Sequence, residues 1–249
     1  MIQGILFDLG NTVVLFPALG VETEELTLER KSMLESLVRV MYDSLKDHGL
    51  QVGWSSFFEA YKAVRSEQMK WQKQTLKEYD MNERLAKVLE CLNFKASASS
   101  EIIRQALDVY FEEYVRRVSI EKEVISTLRS LLPKYSLGLV TNFAYPSAIY
   151  MILRKFGLEK TFDPIVISGE IGWIKPSPII FQAALSRLRL RAEQVAFVGD
   201  DPETDIKGAK NLGMKTVFLA RHSAHSDADI TISHFSSLTT AVEELRNQE

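Results

Sequence analysis

One cysteine, Cys91, occurs in 249 residues. A single thiol excludes an intramolecular disulfide, CxxC redox chemistry and a zinc site built from thiolates, and it fits a reducing compartment. The chain also lacks an excess of either charge: 30 Lys and Arg stand against 33 Asp and Glu, for a net charge of -3 and a pI near 5.9. That balance provides no long-range pull toward nucleic acid or an anionic membrane. Apolar runs are short, none approaching the ~18 uninterrupted residues that suit a spanning helix. The apolar stretch from Ile2 to Phe16 carries Asp8 in its middle and no basic n-region. A cytoplasmic protein is expected. No internal repeat and no low-complexity linker are present.

What remains is ordinary for a globular chain, with 46% apolar and 25% charged residues, enough to fill a sizeable core. Ile2 to Phe7 is an apolar run rich in β-formers that stops at the turn residues Asp8-Leu9-Gly10-Asn11-Thr12, which predicts a buried strand entering a loop. From about Val21 to Val118 the pattern is helical. Leu34, Leu37, Val38, Met41 and Leu45 share one face of a helix that Gly49 terminates. Ser56-Phe57-Phe58-Glu59 has the spacing of a capping box opening a second helix. Leu85 to Leu92 marks a third, and Ile103 to Tyr114 a fourth capped by Ser99 or Ser100. Trp71, Phe57, Phe58 and Tyr61 are expected in the core of this bundle.

After Val118 short apolar runs alternate with amphipathic helices, the pattern of βαβ units and a parallel sheet. The expected strands are Ser136 to Val140, Ile165 to Ile167, Val195 to Val198, Thr216 to Leu219 and Ile230 to Ile232. The N-terminal strand has no sheet of its own and must pair with these. The expected organisation is therefore one α/β domain, residues 1–16 and 119–249, interrupted by a helical insertion, residues 17–118.

In open parallel sheets ligands bind beyond the carboxyl ends of the strands, so the polar residues following each apolar run are the candidates. They are Asp8, Thr141-Asn142, Lys175, and Asp200-Asp201 with Asp205. Several carboxylates that converge without a cation repel one another, and a hard oxygen-liganded ion, Mg²⁺, resolves the conflict. Asp8 then stays ionised and able to attack as a nucleophile. Lys175 supplies a point charge for a phosphoryl oxygen or for Asp8, while Thr141 and Asn142 can donate hydrogen bonds to phosphoryl oxygens. Asp201, before a helix expected near Thr204 to Leu212, is the acid first assigned to stabilising that helix's dipole. His222 and His225 lie in a polar segment with no ligand arrangement around them and are expected in a solvated loop.

Four motifs in order resemble the haloacid dehalogenase-like (HAD) hydrolase superfamily along nearly the whole chain: Ile5-Leu6-Phe7-Asp8 with Thr12, Leu139-Val140-Thr141-Asn142, Lys175-Pro176, and Val198-Gly199-Asp200-Asp201 with Asp205. The insertion between the first two resembles that family's cap domain. The resemblance implies a Rossmann-like core, an aspartyl-phosphate on Asp8, a phosphoryl group held by Thr141 and Lys175, and Mg²⁺ held by Asp8, the Gly10 carbonyl, Asp200 and Asp205. The implied activity is a phosphatase acting on a small phosphorylated metabolite, as a monomer or homodimer.

One position departs from the pattern. Most family phosphatases carry a second Asp two residues after the nucleophile as general acid and base, and this chain has Gly10. Asn11 stands where the family usually has Gly, and Asn is among the few residues that tolerate left-handed backbone angles. Two alternatives follow. One is a 2-haloacid dehalogenase, which also lacks the second Asp but needs no metal and has lost the acidic metal motif that Asp200, Asp201 and Asp205 retain. The other is a weakly active phosphate-binding or regulatory protein.

Overall fold

The computed structural model describes residues 1–17, 28–221 and 226–247; His222 and His225 lie outside the described residues. The chain divides into two units, Met1–Leu15 with Ser119–Glu249, and Phe16–Val118.

The strands of the first unit are β1 (Gly4–Phe7), β2 (Ser136–Thr141), β3 (Ile165–Ile167), β4 (Val195–Gly199), β5 (Lys215–Leu219) and β6 (Ile230–Ile232). They form one parallel sheet in the order β3-β2-β1-β4-β5-β6. The N-terminal strand thus pairs with both β2 and β4, although it begins at Gly4 rather than Ile2.

Among the described residues the α-helices, in order, are α1 (Leu28–Asp47), α2 (Trp54–Thr75), α3 (Met81–Cys91), α4 (Glu101–Arg117), α5 (Lys122–Leu131), α6 (Pro146–Lys155), α7 (Ser168–Ile171), α8 (Pro178–Leu188), α9 (Gly208–Lys210) and α10 (Leu238–Asn247). A parallel sheet covered on both faces needs strands apolar at every position, and β1 and β4 are buried throughout. Leu6, Val140, Val195 and Phe197 pack with Ile180 and Phe181 of α8, where the rings of Phe181 and Phe197 meet edge-on at 5.2 Å. Phe7 points to the opposite face and lies 5.8 Å from Phe162 and 6.1 Å from Phe235. Each such fully buried ring contributes about 1.5 to 3 kcal/mol of transfer free energy.

Among its described residues the second unit has four helices, in which α1 packs on α4 and α2 on α3. Leu34, Leu37, Val38, Met41 and Leu45 are all buried, as their spacing predicts. Gly49, at φ 94°, takes the left-handed conformation that a side chain resists just past the end of α1. Two expectations fail here. Helix α2 begins at Trp54 with Gly53 at the N-cap, so Ser56 to Glu59 lies inside the helix and is no capping box; Glu59 instead pairs with Lys62 at 2.7 Å. Trp71 is 41% exposed and is not part of the core, because period alone does not say how wide the apolar face is.

The chain leaves the first unit and returns to it at one place. Leu15 and Ser119 form an antiparallel bridge, with Leu15 N–H donating to the Ser119 carbonyl at 2.8 Å and Ser119 N–H to the Leu15 carbonyl at 3.1 Å. Among the described residues no helix is long and apolar enough to cross a membrane.

Candidate active site

In a sheet of this order the strands that run to either side of the centre part between β1 and β4, which opens a crevice at their carboxyl ends. Asp8 follows β1 directly, and its N–H donates to the Val198 carbonyl of β4 at 2.9 Å. The chain then turns tightly. Val13 and Val14 N–H donate to the Leu9 carbonyl at 3.0 and 2.9 Å, and Asn11 adopts φ 58°. That is the left-handed conformation Asn tolerates, so the turn forms without glycine at this position. No described residue's backbone N–H donates to the Gly10 carbonyl. Thr12 is fully buried and its hydroxyl donates to Asp200 Oδ1 at 3.4 Å, tying the loop after β1 to the loop after β4.

Lys175 occupies the centre of the acidic cluster. Its Nζ donates to Asp8 Oδ1 at 2.6 Å and to Asp205 Oδ1 at 2.7 Å, and its side chain is 2% exposed. Asp205 comes from a π-helical turn, Pro202–Lys207, which the sequence predicts only as ordinary helix. Asp201 stands at the start of that turn, as expected, and goes further by capping it, accepting from Glu203 and Thr204 N–H at 2.9 and 2.7 Å. Asp201 N–H in turn donates to Asp205 Oδ2 at 3.2 Å. Both oxygens of Asp205 therefore already accept a donor.

Thr141 ends β2 and is buried; among the described residues its hydroxyl makes no hydrogen bond. Asn142 does. Its Oδ1 accepts from Lys175 N–H at 2.7 Å and its Nδ2 donates to the Lys175 carbonyl at 3.1 Å.

Two residues of the site carry roles the sequence reading does not assign. Ser168, fully buried, accepts from Phe143 N–H at 2.7 Å and pins the loop after β2; a lone serine after a strand gives no signal for this. A Cβ on Gly199 would lie 2.6 Å from Asp205 Cγ, so only glycine lets the π turn approach β4. The signal for that was its place directly before Asp200.

Asp8, Asp200 and Asp205 each offer an oxygen within 4.8 Å of the others. Burial pushes the Asp8 carboxyl up to about 6, with Lys175 pulling it down and Asp200 pushing it further up. Burial and the charge of Asp205 raise Asp200 to about 7. Burial also raises Asp205 to about 7, against the pull of Lys175. Burial works against the Lys175 ammonium, but Asp205 and Asp8 more than offset it and hold its pKa above the ordinary lysine range. Three carboxylates around one ammonium leave two negative charges uncompensated when all are ionised. An all-oxygen set of this charge fits a hard divalent cation.

A family model described as haloacid dehalogenase-like hydrolase matches residues 5–219. Among curated relatives, a ribulose-1,5-bisphosphate 5-phosphatase of Halopiger xanaduensis is 30% identical, over 92% of this chain and 88% of the relative. A glyceraldehyde 3-phosphate phosphatase of Pyrococcus abyssi is 31% identical, over 88% of this chain and 82% of the relative. Among solved structures, a 2-haloacid dehalogenase of Pseudomonas syringae superposes with a TM-score of 0.72 at 22% identity, over 98% of this chain and 99% of that one, a likeness of fold. The match runs from β1 to the end of β5 and takes in every strand-end residue of the cluster, and the chain belongs to the haloacid dehalogenase-like hydrolase family.

Proposed function

We propose that the chain is a Mg²⁺-dependent phosphatase that hydrolyses a small phosphorylated metabolite through an aspartyl-phosphate on Asp8, with the unit Phe16–Val118 as its cap. The observation that carries this reading is a buried carboxylate at a strand end with one oxygen held by Lys175 at 2.6 Å, beside two further acids. Those acids disfavour the dehalogenase alternative, which has no use for a cation site. The relatives named as phosphatases of small sugar phosphates favour the same side.

Asp8, Asp200 and the Gly10 carbonyl would hold the ion together with Asp205, whose oxygens also accept from Lys175 Nζ and Asp201 N–H. When bound, Mg²⁺ supplies charge neutralisation for the carboxylates and the phosphoryl oxygens. Lys175 fixes Asp8 Oδ1, which leaves Oδ2 to add to phosphorus. The ester oxygen leaves with the electron pair of its bond and takes up a proton. Thr141, its hydroxyl not spent among the described residues, donates to the phosphoryl group. Water then cleaves the acyl phosphate, releases phosphate and restores the Asp8 carboxylate.

Two results test this. Phosphate release from a metabolite panel that includes ribulose 1,5-bisphosphate and glyceraldehyde 3-phosphate is expected to stop with chelator and to return with added Mg²⁺. Full activity in chelator would overturn the metal requirement, and no phosphate release from any substrate would restore the dehalogenase reading. The second concerns Gly10, which brings no acid to the leaving oxygen. Proton donation is worth about 10² to 10⁴ in rate and matters most for basic leaving groups. Aryl and acyl phosphates are therefore expected to turn over faster than alkyl phosphates. Equal rates on both classes would show that another group supplies the proton.

A further inference from the structure

We infer that the Asn142 side chain is a positioning group that acts through Lys175 and not as a donor to the phosphoryl group, an inference that rests on the phosphatase reading for its kinetic consequence. Asn142 reaches 33 positions along the chain and engages both sides of one residue, accepting from Lys175 N–H at 2.7 Å and donating to the Lys175 carbonyl at 3.1 Å. Two opposed hydrogen bonds fix the place and the rotation of the Lys175 Cα. They are needed there because Lys175 lies between α7 and α8, outside any helix or strand. From that Cα the side chain has to bring one nitrogen to Asp8 Oδ1 and Asp205 Oδ1 together, at 2.6 and 2.7 Å.

Asn142 is itself firmly placed. On one side Thr141 belongs to β2. On the other, Phe143 N–H donates to the buried Ser168 hydroxyl at 2.7 Å and the Phe143 carbonyl accepts from Gly169 N–H at 3.2 Å. The sheet thus fixes Asn142, Asn142 fixes the Lys175 backbone, and Lys175 fixes the Asp8 oxygen that does not attack. Thr141 and Asn142, adjacent in sequence, divide the work. The threonine hydroxyl is unspent within the described fold, whereas the amide carbonyl and one amide N–H of the asparagine are committed to the lysine loop.

The test uses the full chain with Asn142→Ala and the isosteric Asn142→Leu, read in two ways. By NMR hydrogen exchange, the Lys175 amide, whose acceptor is Asn142 Oδ1, is expected to exchange at least tenfold faster in both variants, while amides of β1 and β4 keep their protection. In phosphate release, kcat is expected to fall about 10- to 100-fold, the scale of a slightly misplaced catalytic group, with the inhibition constant of inorganic phosphate changed less than twofold. Direct contact with the phosphoryl group would instead raise that inhibition constant tenfold or more and leave the Lys175 amide protected, which overturns the proposal. Faster exchange throughout β1 and β4 in both variants would make Asn142 a general support of the fold and overturns it equally. If the unaltered protein releases no phosphate from any substrate, the phosphatase reading fails, and the Lys175 exchange rate still decides whether Asn142 holds the lysine loop.

Discussion

Asp8→Asn is expected to lower phosphate release by about 10⁴-fold or more, the scale on which loss of an attacking group is felt, while the folded protein stays at least as stable as before at neutral pH. The two outcomes have one cause. An amide has nearly the shape of the carboxylate but is a poor nucleophile, so the covalent step is lost. The same change removes one of three mutually repelling acids, of which Asp8 is already pushed up to about 6 by burial. Lys175 keeps Asp205 as a partner at 2.7 Å, so its charge is not stranded. Turnover and urea-unfolding midpoints in chelator measure the pair of effects. Hydrolysis at the unaltered rate would refute covalent catalysis through Asp8. A lower unfolding midpoint at pH 8 would refute the electrostatic account of the cluster.

Lys175→Met tests the same cluster from the cationic side, and here the effect on stability is large and pH-dependent. Asp8, Asp200 and Asp205 have folded pKa values of about 6, 7 and 7, above the roughly 4 of an unfolded Asp. An acid raised on folding binds more protons folded than unfolded, so its stabilising share is complete below about pH 4 and is lost as pH rises to 7. Lys175 is shifted upward as a base, so its own share is present at every pH below the ordinary lysine range. Removing it strands ionised acids at pH 8 and much less so at pH 5, where they are largely protonated. Breaking a buried pair by removing one partner costs about 3 to 5 kcal/mol, which is the loss expected at pH 8 in chelator. The loss at pH 5 is expected to be well under half of that. Equal losses at the two pH values would mean that the lysine contributes packing rather than charge. Turnover is expected to fall at least about 10²-fold, as for other fixed donors to a developing charge.

The strand-end residues are readable in the sequence because a parallel sheet has a simple rule: every strand delivers its next residue to the same edge. Asp8, Thr141 and Asp200 needed only the apolar runs Ile5-Leu6-Phe7, Leu139-Val140 and Val195 to Gly199 to be placed together. Asn11 and the helix-start place of Asp201 were readable from local chemistry, since a left-handed turn and a helix start are decided within a few residues. The start of α2 was not. Its Ser56–Glu59 spacing imitates a cap, and only the extended backbone at Gly53 and the burial of Phe57 fix the real start. The role of Asn142 was equally hidden, because it depends on a loop 33 residues away whose path no local pattern encodes. Nor could the sequence show that one ammonium bridges two acids. That follows from a side-chain length and a π turn, both settled only once the sheet has formed.

The Leu15–Ser119 bridge makes the fold modular. The two residues of the sheet unit that flank the insertion are hydrogen-bonded to each other, at 2.8 and 3.1 Å, so the sheet unit closes on itself across the point where the chain departs and returns. Doubling the length of a chain segment closed at one point costs only about 0.6 kcal/mol. Lengthening, shortening or exchanging the stretch between these two residues is therefore expected to leave the acid cluster in place. Exchange of that stretch takes two crossovers, one at each of these residues, and no change in the residues of the acid cluster.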